Sequence, residues 1–571
     1  MSDPSTPVAT PATDARRVAI ITLGCGRNEV DSDQLAGLFH RDGATVVDDP
    51  QTADVVLVNT CTFIAPAKQE SVDTVLEACQ LKEDGDARAV IVVGCMAQRY
   101  PQDLADAIPE ADAIVGFDGY GRLPAIIEDV LSGRVTDRVI GVGAAHPGSR
   151  PLGRDLPRMV APSTAASTVH PEPTVDPEPT VLGLTVQENP AAGHSGTATA
   201  PTTDATTDAP TDAPTSDAPT GALAGQDDLD RMPASGPRFP VRAHDGRPWA
   251  YLKIASGCDR VCTFCAIPSF RGRFRSRPLD EIVAEATWLA DQGARELVLV
   301  SENTTSWGKD LDGGRALQPA LLRELSAVDG IERLRLMYLQ PAELTMPLLE
   351  AMVAEPKVAS YFDLSLQHVS GPVVARMARS GDHERFGELI TRIRELDPDA
   401  VFRSNFILGF PGETEHDVEV LQEFLTEHRL DWVGLFAFSR EDGTPSDHLP
   451  DQVPAELAAE RVRRVSELQE QIADEAARRF IGRQLEVTVQ EHLTEAGAAT
   501  TIARSYREAP DTDGEVQLIV PPRSAGSAAP KQQTGDLGSV AADLPVGRTV
   551  TATVTDAVGV DLVATVEAAS A

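Results

Sequence analysis

Residues 250–265 read Ala-Tyr-Leu-Lys-Ile-Ala-Ser-Gly-Cys-Asp-Arg-Val-Cys-Thr-Phe-Cys, an apolar run that passes directly into a cysteine cluster. Ala250 to Ala255 has the length and composition of a strand, and it delivers Cys258, Cys262 and Cys265 in a C-x3-C-x2-C pattern at its end. Five more strand-like runs follow: Glu296 to Val300, Leu334 to Leu339, Phe362 to Leu366, Phe402 to Leu408 and Trp432 to Phe438. A helical pattern follows each of the first five of these six runs. Six βα units predict a partial (β/α)6 barrel of the TIM type, whose chemistry sits at the C-terminal ends of the strands.

On the N-terminal side, Val18 to Leu23, Val55 to Val58 and Val90 to Val93 read as strands, and Asp33 to Arg41 and Ser71 to Leu81 as helices. Such alternation predicts a parallel α/β sheet. Each of these strands is followed by a cysteine: Cys25, Cys61 and Cys95. Parallel strands end on one edge, so three thiols converge where open α/β sheets bind ligands. On the C-terminal side, a helical pattern from Pro454 to Phe480 leads to a tail. There Leu485 to Val489, Val516 to Val520 and Val550 to Val554 alternate as strands of a small antiparallel β-barrel of OB-like type.

The expected organisation of this α/β multidomain chain is therefore a disordered tail over 1–16, an α/β domain over 17–135 and a disordered linker over 148–240. A barrel domain with its C-terminal helix over 244–480 and a small β-barrel over 481–571 complete it. Residues 160–230 carry ten Pro and eleven Asp or Glu with no Lys, Arg or aromatic residue, a composition that cannot bury a core. The 571-residue chain has a formal charge of -37, and removing those eleven acids leaves -26, so the folded parts are acidic too. An acidic surface disfavours a long duplex or an anionic membrane as general partner and suits a basic protein. Neither a secretory signal nor a run of eighteen apolar residues is readable, which predicts a cytoplasmic protein without a membrane partner.

Three thiolates of a C-x3-C-x2-C loop can hold three irons of a cubane and leave the fourth open to a ligand. The competing zinc reading lacks a nearby fourth ligand, the next histidine being His368. Taken singly, Cys25, Cys61 and Cys95 each read first as small buried hydrophobes, and it is their joint place at three strand ends that favours function, whereas Cys79 within its helix reads as core. Gly409-Phe410-Pro411-Gly412-Glu413-Thr414 follows the fifth barrel strand, either as a plain turn capped by Thr414 or as a ligand-contacting segment on the catalytic rim. Gln367-His368 closes the fourth strand, where the histidine has a structural alternative. Glu302 and Asn303 end the second, either as a solvated turn or as a place for a cationic amine.

The cysteine loop matches the radical S-adenosylmethionine (SAM) signature, and together with the three strand-end cysteines the chain resembles the radical SAM methylthiotransferase family. Thr22-Leu23-Gly24-Cys25, Val58 to Ile64, Glu70-Ser71, Arg271-Gly272, Arg275 to Pro278, Leu366-Gln367-His368, Gly409 to Glu415, Arg504-Ser505 and Asp513-Gly514 carry the resemblance over residues 17–130 and 248–566. Arg27 stands where the family usually has Lys, Glu302 where Gln is usual, and Ser365 where Pro is common.

The resemblance implies a 4Fe-4S cluster with an open iron on Cys258, Cys262 and Cys265. It implies a second, auxiliary 4Fe-4S cluster on Cys25, Cys61 and Cys95, two SAM, and a SAM region around Glu302, Gln367, His368, Gly409, Gly412 and Glu413. One electron entering the first cluster would cleave SAM to a deoxyadenosyl radical, and the second cluster would carry the sulfur. A one-electron reductant and a sulfur donor are implied partners, and the tail would be a TRAM domain. The implied target is the β-carbon of an aspartate in small-subunit ribosomal protein twelve. Related family members act on an adenosine of transfer RNA, and a non-enzymatic iron-sulfur carrier is a third class. From Phe480 to Ala571 there are six Lys or Arg against twelve Asp or Glu, which favours a basic protein over RNA.

Overall fold

The computed structural model describes residues 15–142, 242–311, 318–495, 498–520 and 544–566. The expected tail up to residue 14, the linker 148–240 and all but the last residue of the 521–544 insertion lie outside the described residues. Among the described residues no helix is long and apolar enough to cross a membrane.

The N-terminal unit is one parallel sheet, β1 (Arg17–Thr22), β2 (Thr45–Val46), β3 (Val55–Thr60), β4 (Ala89–Val93), β5 (Ala113–Val115) and β6 (Val139–Ile140), in spatial order β2-β1-β3-β4-β5-β6. Strands β3 and β4 are buried throughout, as the near-continuous Val, Leu and Ile of a sheet covered on both faces require. Helix α1 (Gly26–Arg41) starts seven residues earlier than Asp33, and α2 (Ala65–Asp84) starts six before Ser71. In α1 the reason is visible. Asn28, Asp31, Ser32 and Gln34 are buried although polar, so the first two turns carry no apolar period.

The six expected barrel strands are β7 (Trp249–Lys253), β10 (Glu296–Val300), β11 (Arg333–Leu336), β12 (Tyr361–Gln367), β13 (Val401–Leu408) and β14 (Trp432–Ala437), all parallel. They form two three-stranded sheets joined by single bridges, Leu334 to Val358 and Leu339 to Leu364. The barrel is therefore open. A small antiparallel ladder unmarked in the sequence, β8 (Ala255–Ser256) with β9 (Arg275–Ser276), brackets the cysteine loop.

The tail closes as a barrel of β15 (Gln484–Glu495), β16 (Ala498–Arg504), β17 (Val516–Ile519), β18 (Thr549–Val558) and β19 (Asp561–Val566), in order β15-β16-β17-β19-β18. One pair, β17 with β19, runs parallel; the others are antiparallel. Its apolar interior is continuous with Trp249, Tyr251, Val298, Tyr361, Val401 and Trp432 of the larger barrel. Each such side chain contributes about 1.5–3 kcal/mol on burial, so this shared cluster fastens the small barrel to the large one, whose main core is separate. Polar contacts at the strand starts fix the orientation. Tyr361 donates to Asp513 at 2.6 Å, the Trp432 indole to the Arg507 carbonyl at 3.0 Å and Arg504 to Glu296 at 3.1 Å. The small barrel thus plugs the end of the large barrel opposite its chemistry.

Candidate active site: two cysteine triads at one barrel mouth

The cysteine loop leaves β8 through Gly257, whose φ of +78° is a conformation that L side chains rarely adopt. A Cβ there would overlap the Arg273 carbonyl. The Cys258 amide donates to the Gly272 carbonyl and the Thr263 amide to that of Met377, both at 3.1 Å, so the loop is tied to both sides of the barrel rim. Arg260 is ion-paired with Glu343, which also accepts from Lys309 and Ser306 at 2.6 Å each. Burial alone would raise Glu343, but those donors outweigh it and hold the carboxyl at about 2.

Cys258, Cys262 and Cys265 are each half-buried. The Arg260 amide points at Cys258 Sγ and the Arg379 guanidinium at Cys262 Sγ, both at 3.5 Å. Burial pushes the Cys258 thiol up to about 11 and that of Cys265 to about 12, so neither is a thiolate at neutral pH without a bound cation. Among the described residues no three His, Cys, Asp or Glu side chains gather round one point as a mononuclear site needs. A cubane takes each thiolate on a different iron, so its ligands stand apart. One soft, half-open triad per loop fits such a cluster.

The other triad is assembled by the sheet. Strands β1, β3 and β4 are neighbours and carry Cys25, Cys61 and Cys95 just past their ends. Gly24, at φ +98°, lets the chain pass so close that a Cβ would sit 3.0 Å from Cys61 Sγ. Asn28 in the first turn of α1 donates to the Leu23 carbonyl at 2.8 Å and the Thr60 carbonyl at 3.2 Å, and its own oxygen accepts from Arg271 at 2.9 Å. Ser71 secures the Cys61 backbone by accepting from its amide at 3.0 Å and donating to its carbonyl at 2.9 Å.

Two guanidinium groups aim at these sulfurs. Arg27 Nε donates to Cys25 Sγ at 3.3 Å and Arg271 Nη2 to Cys95 Sγ at 3.2 Å. Burial pushes the Cys25 thiol up, but the Arg27 charge and hydrogen bond, with the Arg271 charge, outweigh it and hold the thiol below its ordinary range. Cys61 has no such donor; burial, with Cys95 and Cys25 nearby, pushes it up to about 12. Burial also raises Cys95, against the pull of Arg271. The donor set and the slot at Gly24 fit a second cluster.

The two triads face one space. Arg27 acts electrostatically on Cys25 on one side and on Cys265 on the other. Its guanidinium lies 5.3 Å over the Tyr338 ring and 3.6 Å from Glu302. Lys253 at the end of β7 is ion-paired with Asp31 of α1, which also meets Arg271 at 3.3 Å. Across the rim, Lys68 and Arg99 of the N-terminal unit pair with Glu441 at 3.0 and 2.8 Å. The carboxyl edge of the N-terminal sheet therefore sits on the carboxyl rim of the barrel.

Of the expected ligand-contact residues, Glu302 lies between the triads. Gln367 closes β12 half-buried with φ +70°, a strained conformation for a non-glycine residue at a site. His368 and Glu413 depart from the expectation. Both side chains are fully buried; His368 Nδ1 accepts from the Ser370 amide at 3.0 Å, and Nε2 lies 3.5 Å from Glu413. Glu413 accepts from the Gly409 amide and from Arg461, each at 2.8 Å, so these two side chains lock the turn to the Ala455–Arg478 helix. A Cβ on Gly409 would overlap Ala458 and one on Gly412 the Arg376 guanidinium, so packing explains both glycines. The expected cap exists, with the Thr414 amide and hydroxyl both donating to Asp417 at 2.7 and 2.6 Å. Asn303 bonds to Ser306 at 2.8 Å, and Cys79 packs in the core of the N-terminal unit. The sequence reading did not assign Arg27, Arg271, Arg379 or Tyr338 to the site. Only the φ of +61° at Tyr338 and the arginines' approach to sulfur mark them, and those signals are structural.

Three family signatures match the chain: the uncharacterized protein family UPF0004 over residues 17–116, the radical SAM superfamily over 252–425 and the TRAM domain over 481–566. The "Ribosomal protein uS12 methylthiotransferase RimO" of Kineococcus radiotolerans is 44% identical over 96% of this chain and 97% of its own. That of Streptomyces griseus is 44% identical over 88% of this chain and 92% of its own. Among solved structures, the radical S-adenosylmethionine methyltransferase TsrM of Kitasatospora setae aligns at 16% identity over 85% of this chain and 79% of that one, with a TM-score of 0.45, too loose to carry an argument. Two thiol triads on one mouth and full-length identity above 40% agree: this chain is a radical SAM enzyme belonging to the RimO family of methylthiotransferases.

Proposed function

We propose that this methylthiotransferase modifies the β-carbon of an aspartate in ribosomal protein uS12, with 4Fe-4S clusters on Cys258, Cys262 and Cys265 and on Cys25, Cys61 and Cys95, and with two SAM. When bound, the first cluster with SAM supplies a deoxyadenosyl radical and the second supplies sulfur, as cofactor rather than side-chain chemistry. The chain's own residues hold and insulate. The β8–β9 ladder and Glu343 fix the loop thiols, while Arg27 and Arg271 favour thiolates on the sheet edge. Gln367 and the backbone of Gly409 and Gly412 form the proposed SAM region, with His368 and Glu413 fastening that turn.

The observation that carries the protein substrate is the state of the tail's arginines. Arg504 is buried with Glu296, and Arg507 is wholly buried, paired with Glu508 at 3.0 Å and lying 4.3 Å over the Trp432 ring. Neither faces solvent, so the TRAM barrel lacks these two charges for an RNA-binding stripe, which needs exposed cations to displace phosphate counterions. The net acidity of this module, six Lys or Arg against twelve Asp or Glu, suits a basic ribosomal protein better than RNA. The test is anaerobic: reconstituted, reduced enzyme with SAM and sulfide, offered a uS12 loop peptide or a transfer RNA anticodon stem-loop, with products read by mass spectrometry. A methylthio gain on the peptide supports the reading. A gain on RNA alone overturns it in favour of the transfer RNA activity, and failure to cleave SAM with clusters intact would favour a carrier.

A further inference from the structure

One carboxylate in the shared space is unusual. Glu302, at the end of β10, has a side chain only 1% exposed, yet among the described residues neither of its oxygens has a hydrogen-bond partner. Its neighbours are the two arginines that serve the sheet-edge thiols: Arg27 Nη1 at 3.6 Å and Arg271 Nε at 3.8 Å from the same oxygen. Each arginine meanwhile spends another nitrogen on a sulfur, Arg27 on Cys25 and Arg271 on Cys95. A guanidinium can do both because its donors form a rigid fork; a point charge cannot. Arg27 is further confined by the Tyr338 ring, and Arg271 by Asp31 and Asn28. The result is a buried unit in which one anion sits between two cations and each cation touches a different cysteine.

We propose that Glu302 is a counter-charge that holds Arg27 and Arg271 on Cys25 and Cys95 and keeps the cluster carried by those cysteines hard to reduce. The inference rests on the reading that Cys25, Cys61 and Cys95 hold a cluster. Its physical basis is that hydrogen bonds to the sulfurs and nearby positive charge raise a cluster's potential, while a nearby anion lowers it. Two guanidinium groups on their own would make the sheet-edge cluster an electron trap beside the loop triad. The loop triad has weaker help: one backbone amide and one guanidinium, each at 3.5 Å. A fixed carboxylate restores the balance, so that the single electron needed for SAM cleavage stays with the loop cluster. Glu302 acts through the arginines and is a positioning residue.

The test is an EPR-monitored redox titration of the full-length, cluster-loaded protein, with a C258A/C262A/C265A background assigning the sheet-edge wave. E302Q keeps the shape and an acceptor for Arg27 but removes the charge; the sheet-edge potential should shift upward. E302D keeps the charge and should return the potential towards the original value. Equilibrium SAM binding should change by less than about tenfold in E302Q, the scale of one charged hydrogen bond, whereas a carboxylate that received the SAM amine would lose more. An unmoved potential in E302Q, or E302D behaving like E302Q, overturns the inference. Iron and sulfide analysis of a C25A/C61A/C95A chain separates the premise: undiminished iron there means that the sheet-edge triad holds no cluster.

Discussion

The two cysteine triads share a mouth but are built by opposite strategies. Cys258, Cys262 and Cys265 come from one loop, and their geometry depends on a single glycine turn and a two-residue ladder. Cys25, Cys61 and Cys95 come from three strand ends, and their geometry depends on the whole parallel sheet. Electrostatics diverge in the same way. Burial raises Cys258 and Cys265 with weak opposition, while arginine charge keeps Cys25 low. A local triad can be opened to a ligand without disturbing the fold, whereas a triad on a sheet edge is rigid and can be charged from a neighbouring domain. On the proposed reading the exchangeable ligand position belongs to the first triad, while the guanidinium groups of Arg27 and Arg271 serve the second.

The largest expected effect comes from removing the loop triad. A C258A/C262A/C265A chain should lose SAM cleavage entirely while retaining cooperative unfolding, with deoxyadenosine release measured by chromatography. A smaller effect sharpens the role of the glycine turn. In G257A a Cβ must push against the Arg273 carbonyl at a positive φ that itself costs about 1–2 kcal/mol. Iron at the loop should fall in analysis of that variant while the sheet-edge iron stays.

The interface with the small barrel gives a pH-dependent prediction. Burial would raise Glu296, but Arg335, Arg504 and Arg333 outweigh it and hold the carboxyl at about 2. A depressed acid contributes stability that is present above its unfolded value of about 4.5 and lost as pH falls through its folded value. The contact between the two barrels should therefore weaken between about pH 4.5 and pH 2, which urea unfolding at stepped pH would register. Least affected should be K68A. Its ion pair with Glu441 is backed by Arg99, so unfolding should shift by about 1 kcal/mol or less.

Much of this was legible in the sequence because it is local. The C-x3-C-x2-C loop, the barrel strands and the valine-rich strands of the N-terminal sheet each announce themselves by spacing or period. The sheet-edge triad was legible only through the topology, since its members are 36 and 34 residues apart. The first turns of α1 were not, because the residues buried there are polar and face another domain. Arg27 and Arg271 are separated by 244 positions, and nothing in either neighbourhood indicates that both point at thiols. His368 and Glu413 illustrate the converse. Their positions past strand ends suggested ligand contact, but both are buried, His368 accepting from the Ser370 amide and Glu413 paired with Arg461.

The central claim is a division of labour between the triads, and one variant tests it. A C25A/C61A/C95A chain, loaded anaerobically and given SAM, reductant and the uS12 peptide, should still release deoxyadenosine but add no methylthio group to the peptide. Loss of SAM cleavage in that chain, with its fold and its loop iron intact, would contradict the account.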